Sequence, residues 1–205
     1  MHLRHPLLPI CLGLLLTRAA LTAPAQVNVS AARTTGHSAP AFSLQDAMHQ
    51  RHSLAEFRRS PVALFFFCGC EPCHRCAALW AQAQQAGFSA KVPTVIVYSG
   101  DIASGEAFLS ETGLDPKTTT LLFDAREKVA DAYSVTVCPR VFILDATRKV
   151  RYTNAEPGAN PQTTPATVVV SRIIAAIHLL PSSLHMIKDA GYAAPKSEAH
   201  NKRRT

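Results

Sequence analysis

The chain carries no long run of one charge sign in its interior and no repeated segment. The first absence argues against a disordered polyelectrolyte, and the second against a solenoid or a propeller. Its N-terminal apolar stretch, Leu7 to Leu16, is about half of the roughly 20 residues that a membrane-spanning helix needs. There is one tryptophan, Trp80, too isolated to form an aromatic stacking platform and better suited to a core. What the chain does have is apolar residues, 47% of the total, enough to bury a real core. Its 205 residues suit one domain with extensions.

The net charge of +7 raises the question of nucleic-acid binding. Its distribution argues against it. Arg4 and Arg18 lie in the leader, and the tail from Lys188 holds five basic and two acidic residues. From Gln26 to Ile187 the balance is 14 basic to 12 acidic. The excess is mostly terminal and reads as a solvated tail rather than a phosphate-binding face.

Residues 1–25 read as a secretory signal peptide. His2, Arg4 and His5 form a positive start, Leu7 to Leu16 an apolar centre, and Ala23-Pro24-Ala25 a small-residue cleavage site. Residues 26–37 read as a linker, 38–180 as the folded domain and 181–205 as a polar, basic tail. Export to the periplasm or another extracytoplasmic space, with the signal cleaved, is the expectation. It changes how cysteines are read, because thiols in an oxidising compartment tend to pair. Cys11 falls in the leader, and the other five are an odd number, so one must stay free, pair elsewhere or bind something.

Elements follow from pattern. Ala39 to Asp46 alternates like a short strand, and His52 to Phe57 reads as a helical turn. Val62 to Phe67 is unbroken apolar, as in a strand buried on both faces. Pro72 to Ala86 should be a helix stopped by Gly87. Strands are expected at 92–99 and 120–124, and helices at 105–112 and 127–133. A hairpin of strands 140–145 and 149–154, turning at Asp145-Ala146-Thr147-Arg148, precedes a last helix at 164–180. This order implies a mixed sheet with helices on both faces.

The chemistry sits in Cys68-Gly69-Cys70-Glu71-Pro72-Cys73-His74-Arg75-Cys76. A cysteine between a buried strand and a helix meets unpaired backbone N–H groups and the positive end of the helix dipole. Both favour the thiolate and make Cys70 a nucleophile. Cys73, one turn on, reaches Cys70 and can resolve a mixed disulfide.

Three segments together carry a family resemblance: Cys70-Glu71-Pro72-Cys73 after its Phe-rich strand, Ala39-Pro40-x-Phe42-x-Leu44-x-Asp46, and Asp131 to Val135 leading to Val137-Cys138-Pro139-Arg140. The chain resembles the redoxin branch of the thioredoxin superfamily, the TlpA–ResA-like and AhpC/TSA-related proteins, over about residues 36–180. The resemblance implies an α/β, thioredoxin-like fold with a central mixed sheet flanked by helices. It implies that Pro139 is a cis-proline facing the active site, and that the Cys138–Pro139 loop binds substrate backbone. It also implies exchange of disulfides with protein substrates. A membrane or periplasmic thiol donor, no cofactor, no nucleic-acid partner and a monomeric state are the accompanying expectations.

Three positions depart from the family pattern. Gly69 stands where a tryptophan is usual. Leu64 replaces a buried aspartate of thioredoxins, and Cys76 a glutamate of ResA-like members. Both usual proton acceptors for the resolving thiol are therefore missing, leaving Glu71 and His74 as substitutes. Cys68, Cys76 and Cys138 are auxiliary thiols: core residues, a disulfide relay, or a soft-metal site for copper or zinc. Peroxide reduction by a peroxiredoxin-like mechanism is the other enzymatic alternative. Against it, the Pro-x-x-x-Thr-x-x-Cys loop is absent and Arg140 is displaced by one residue. Cys70-x-x-Cys73-His74 also fits a c-type haem attachment motif, but its strand–helix setting favours the redox pair.

Overall fold

The structure, a computed structural model, describes residues 35–87, 92–155 and 160–180. The signal-peptide and tail assignments, and all but the end of the linker, lie outside the described residues. Seven strands form one mixed sheet: β1 (Ser43–Gln45), β2 (Arg51–Ser53), β3 (Val62–Phe67), β4 (Thr94–Tyr98), β5 (Thr119–Phe123), β6 (Arg140–Leu144) and β7 (Val150–Thr153), in the order β2-β1-β5-β4-β3-β6-β7. Four α-helices flank it: α1 (Glu71–Gln85), α2 (Ile102–Thr112), α3 (Lys128–Ala132) and α4 (Ala166–His178). Among the described residues no helix is long and apolar enough to cross a membrane.

The uninterrupted apolar character of β3 follows from its place. It pairs in parallel with β4 and antiparallel with β6, and both of its faces are covered. Ala63, Phe65 and Phe67 face the core shared with α1, α2 and α4. Val62, Leu64 and Phe66 face a second core with Val129 and Ala130 of α3 and with Tyr133. Burying each large side chain contributes about 1.5–3 kcal/mol. Leu64 therefore needs no polar partner: it is fully buried in an apolar layer.

Helix α1 buries Cys73, Cys76, Ala77, Trp80 and Ala81, the i, i+3, i+4 stripe of an amphipathic helix. The Trp80 indole N–H donates to Thr94 Oγ1 at 3.0 Å, which fixes α1 against β4. The β6–β7 hairpin turns where expected, because the Asp145 carboxylate accepts from the Thr147 and Lys149 amides at 2.7 and 3.0 Å.

Two expectations need correction. Arg51–Ser53 is a strand, not part of a helical turn. It is short and polar, and its antiparallel pairing with β1 is what defines it. The 3₁₀ turn that follows covers Leu54–Phe57. Helix α2 starts at Ile102 rather than Gly105, capped by Asp101 Oδ1, which accepts from the Ser104 amide at 2.8 Å. Gly105 sits inside the helix because a Cβ there would lie 2.6 Å from the Phe123 ring.

Candidate active site

β3 ends at Phe67, and the chain must turn at once to start α1. Gly69 makes that turn with φ +76°, in the left-handed region that favours glycine. An added Cβ would also lie 2.5 Å from the Tyr98 hydroxyl. A tryptophan fits neither the backbone nor the space, which accounts for this departure from the family pattern.

Cys70 is the N-cap of α1, in an extended conformation, and its carbonyl accepts from the Cys73 and His74 amides at 2.9 and 3.1 Å. Pro72 occupies the first turn, where its missing N–H costs nothing. This geometry sets the Cys70 and Cys73 sulfurs 3.3 Å apart. Cys70 is half-buried and Cys73 fully buried. The sulfurs of Cys68, Cys70 and Cys73 all lie within 4.8 Å of one another. Cys68 is exposed as a residue.

The Cys138–Pro139 peptide is cis. The Cys138 thiol interacts with those of Cys73 and Cys68. The Cys73 and Cys138 thiols shift in opposite directions. The hydrogen bond to Cys138, then burial, push the Cys73 thiol far above its ordinary range, against an opposing hydrogen bond from the Cys68 amide. The bond from Cys73 pulls Cys138 down to about 7, with burial working against it. Burial pushes Cys68 up to about 11 and Cys76 up to about 12.

Five of the six anticipated site residues therefore meet at one edge of the molecule: Cys68, Cys70, Cys73, Cys138 and Pro139. Cys76 does not join them as an accessible thiol. It is fully buried in the core between β3 and α1, α2 and α4. Of the substitute proton acceptors, Glu71 pairs with Arg75. His74 packs against Phe108 with ring centroids 4.8 Å apart and planes tilted by 45°, and sits 3.6 Å from Glu111.

One residue escaped the sequence reading. Asn154, buried just past β7, accepts from the Val141 amide at 2.9 Å and donates to the Pro139 carbonyl at 3.0 Å. It clamps the cis-proline loop from behind. A polar residue closing the hairpin strand was the available signal. Pro72, Arg75, Pro139, Thr163 and Val169 line a small pocket between the start of α1 and the cis-proline loop.

A strand–Cys-x-x-Cys–helix unit facing a cis-proline across a mixed sheet defines a thioredoxin-like protein. Residues 35–153 match the AhpC/TSA family, and the chain belongs to it. No curated protein matches the chain. Among solved structures, peroxidoxin BcpB from Mycobacterium tuberculosis is 19% identical, with a TM-score of 0.59 over 72% of this chain and 98% of its own. A protein described as a thiol:disulfide interchange protein, DsbE, from Chlorobium tepidum is 25% identical, with a TM-score of 0.55 over 70% of this chain and 98% of its own. A secreted disulfide oxidoreductase of M. tuberculosis homologous to E. coli DsbE is 20% identical, with a TM-score of 0.52 over 65% of this chain and 95% of its own. The first and third likenesses are of fold. Membership of this redoxin family supports an oxidoreductase activity.

Proposed function

We propose that this chain is an exported thiol–disulfide oxidoreductase that exchanges disulfides with protein substrates through Cys70 and Cys73. The observation that carries the reading is the pairing of an accessible sulfur with a buried one at 3.3 Å. The Cys70 thiolate attacks one sulfur of a substrate disulfide. That bond breaks, the other substrate sulfur leaves as thiolate, and a Cys70–substrate disulfide forms. Cys73, deprotonated, then attacks the Cys70 sulfur. The substrate's second thiolate leaves, and the Cys70–Cys73 pair is oxidised. The reverse sequence oxidises a substrate dithiol.

Burial suits Cys73 to the second step only, because no outside disulfide reaches it. Its thiol holds its proton until the mixed disulfide forms, and Cys138, which interacts with it, is the group proposed to take that proton. The small pocket at Pro72, Arg75 and Pro139 offers a place for part of a substrate next to the cis-proline. The N-terminal leader supports export. A membrane or periplasmic thiol donor recharges the pair, and the protein acts as a monomer without nucleic acid. Peroxide reduction is less favoured, because the likeness to the peroxidoxin is one of fold and the peroxiredoxin cysteine loop is absent.

Cys70→Ser tests the reading. It is expected to abolish insulin-disulfide reduction, and retained reduction would overturn the assignment. Cys73→Ser is expected to accumulate mixed disulfides with substrate on non-reducing gels.

A further inference from the structure

Disulfide exchange needs two sulfurs, and this site presents a third. Cys68 has no step in the exchange reaction, yet its sulfur lies within 4.8 Å of both Cys70 and Cys73. The placement is built into the backbone. Cys68 follows the last residue of β3, Gly69 bends the chain at φ +76°, and Cys70 caps α1. Two thiols from the turn thus converge on the one thiol presented by the first turn of the helix.

We propose that the reduced protein binds one Cu(I) ion through Cys68, Cys70 and Cys73. Thiolates are soft ligands and select Cu(I), zinc or iron–sulfur clusters over hard cations. Metal–sulfur bonds of about 2.3 Å put three coplanar sulfurs about 4 Å apart. The three sulfurs are mutually within 4.8 Å, so small side-chain rotations close them on one ion. A closed tetrahedral zinc site takes four ligands. Cys138 does not join the mutual set. The three-sulfur set favours Cu(I). The exposed Cys68 gives the ion its entry path, and the buried Cys73 forms the floor. The ion replaces the thiol protons, which pass to solvent. No electron transfer is involved. The inference stands apart from disulfide exchange, although both use Cys70 and Cys73.

The test is anaerobic titration of the reduced full chain with Cu(I) held by bicinchoninate, ascorbate keeping the metal reduced. Wild type is expected to take one equivalent from the chelator. Cys68→Ser, at an exposed position that does not threaten folding, is expected to lower Cu(I) affinity by at least about tenfold. Loss of a mere outer-shell partner already costs about that much. Three results overturn the proposal: copper left with the chelator, copper held equally well by Cys68→Ser, or Cys68-dependent binding of Zn(II) with no retention of Cu(I). Insulin reduction by the metal-free wild type is assayed in parallel. Exchange without copper uptake sinks the copper site alone, and copper uptake without exchange sinks the oxidoreductase reading alone.

Discussion

Gly69→Ala is the substitution for which the structure gives the most definite energy. Two costs arise at one atom. An alanine at φ +76° sits in the left-handed region, which costs a residue with a Cβ about 1–2 kcal/mol. The new Cβ also meets the Tyr98 hydroxyl at 2.5 Å, closer than real contacts allow. Tyr98 is almost wholly buried, so its ring yields only by leaving its rotamer, at about 0.5–1.5 kcal/mol. Together these predict a loss of about 1.5–3.5 kcal/mol. The two parts are separable. Tyr98→Phe removes the hydroxyl and leaves the ring carbon at 3.5 Å, an ordinary contact. Gly69→Ala/Tyr98→Phe is therefore expected to recover about 1 kcal/mol relative to Gly69→Ala, a coupling that a double-mutant cycle resolves. Urea unfolding followed by the fluorescence of Trp80, the single tryptophan, gives all four stabilities. A Gly69→Ala protein within about 0.5 kcal/mol of wild type, or a double variant with no recovery, refutes the reasoning.

Three further predictions concern other parts of the site and fold. Asn154→Ala leaves a buried amide and a buried carbonyl without their partner, so it is expected to cost about 1–3 kcal/mol in urea unfolding. It is also expected to slow insulin reduction by loosening the Pro139 loop, and an unchanged rate would remove Asn154 from its positioning role. Cys73→Ala removes the hydrogen bond that lowers Cys138, so the iodoacetamide titration midpoint of Cys138 is expected to rise from about 7 toward its ordinary 9.0. A midpoint that stays put contradicts that interaction.

The last of the three is a pH dependence. Burial opposes protonation of His52, but hydrogen bonds to Asp46 and Glu56 outweigh it and hold its pKa above the ordinary 6.5. A raised folded pKa stabilises below 6.5 and is lost as pH rises through the folded value. The two carboxylates are lowered from 3.8 and 4.5, so their share is lost at lower pH. The stability advantage of wild type over His52→Gln is therefore expected between about pH 4.5 and 6.5 and to shrink above it. An advantage that grows toward pH 8 contradicts the ion pairs.

Much of the fold was legible because it rests on strong periodic signals. The run Val62 to Phe67 has no polar interruption, and only a central strand buried on both faces explains it. The spacing of Cys73, Ala77 and Trp80 writes out the buried stripe of α1. β2 was not legible, since Arg51, His52 and Ser53 carry no strand pattern and are defined only by their pairing with β1 at the sheet's edge. Gly105 misled for a related reason. It reads as a helix boundary, but a close tertiary approach of Phe123 requires it inside α2. At the site, Cys70, Cys73 and Pro139 were readable from spacing and resemblance. The burial of Cys76, the conflict between Gly69 and Tyr98, and the Asn154 clamp all depend on three-dimensional neighbours.

The central claim is that Cys70 and Cys73 form the redox-active pair. The most direct test is a redox titration of the protein in thiol buffers, with alkylation and peptide mass mapping at each potential. The account predicts one reversible two-electron step confined to Cys70 and Cys73, with Cys76 reduced throughout. A pair that stays inert across the range, or a reversible disulfide that joins other cysteines, contradicts it.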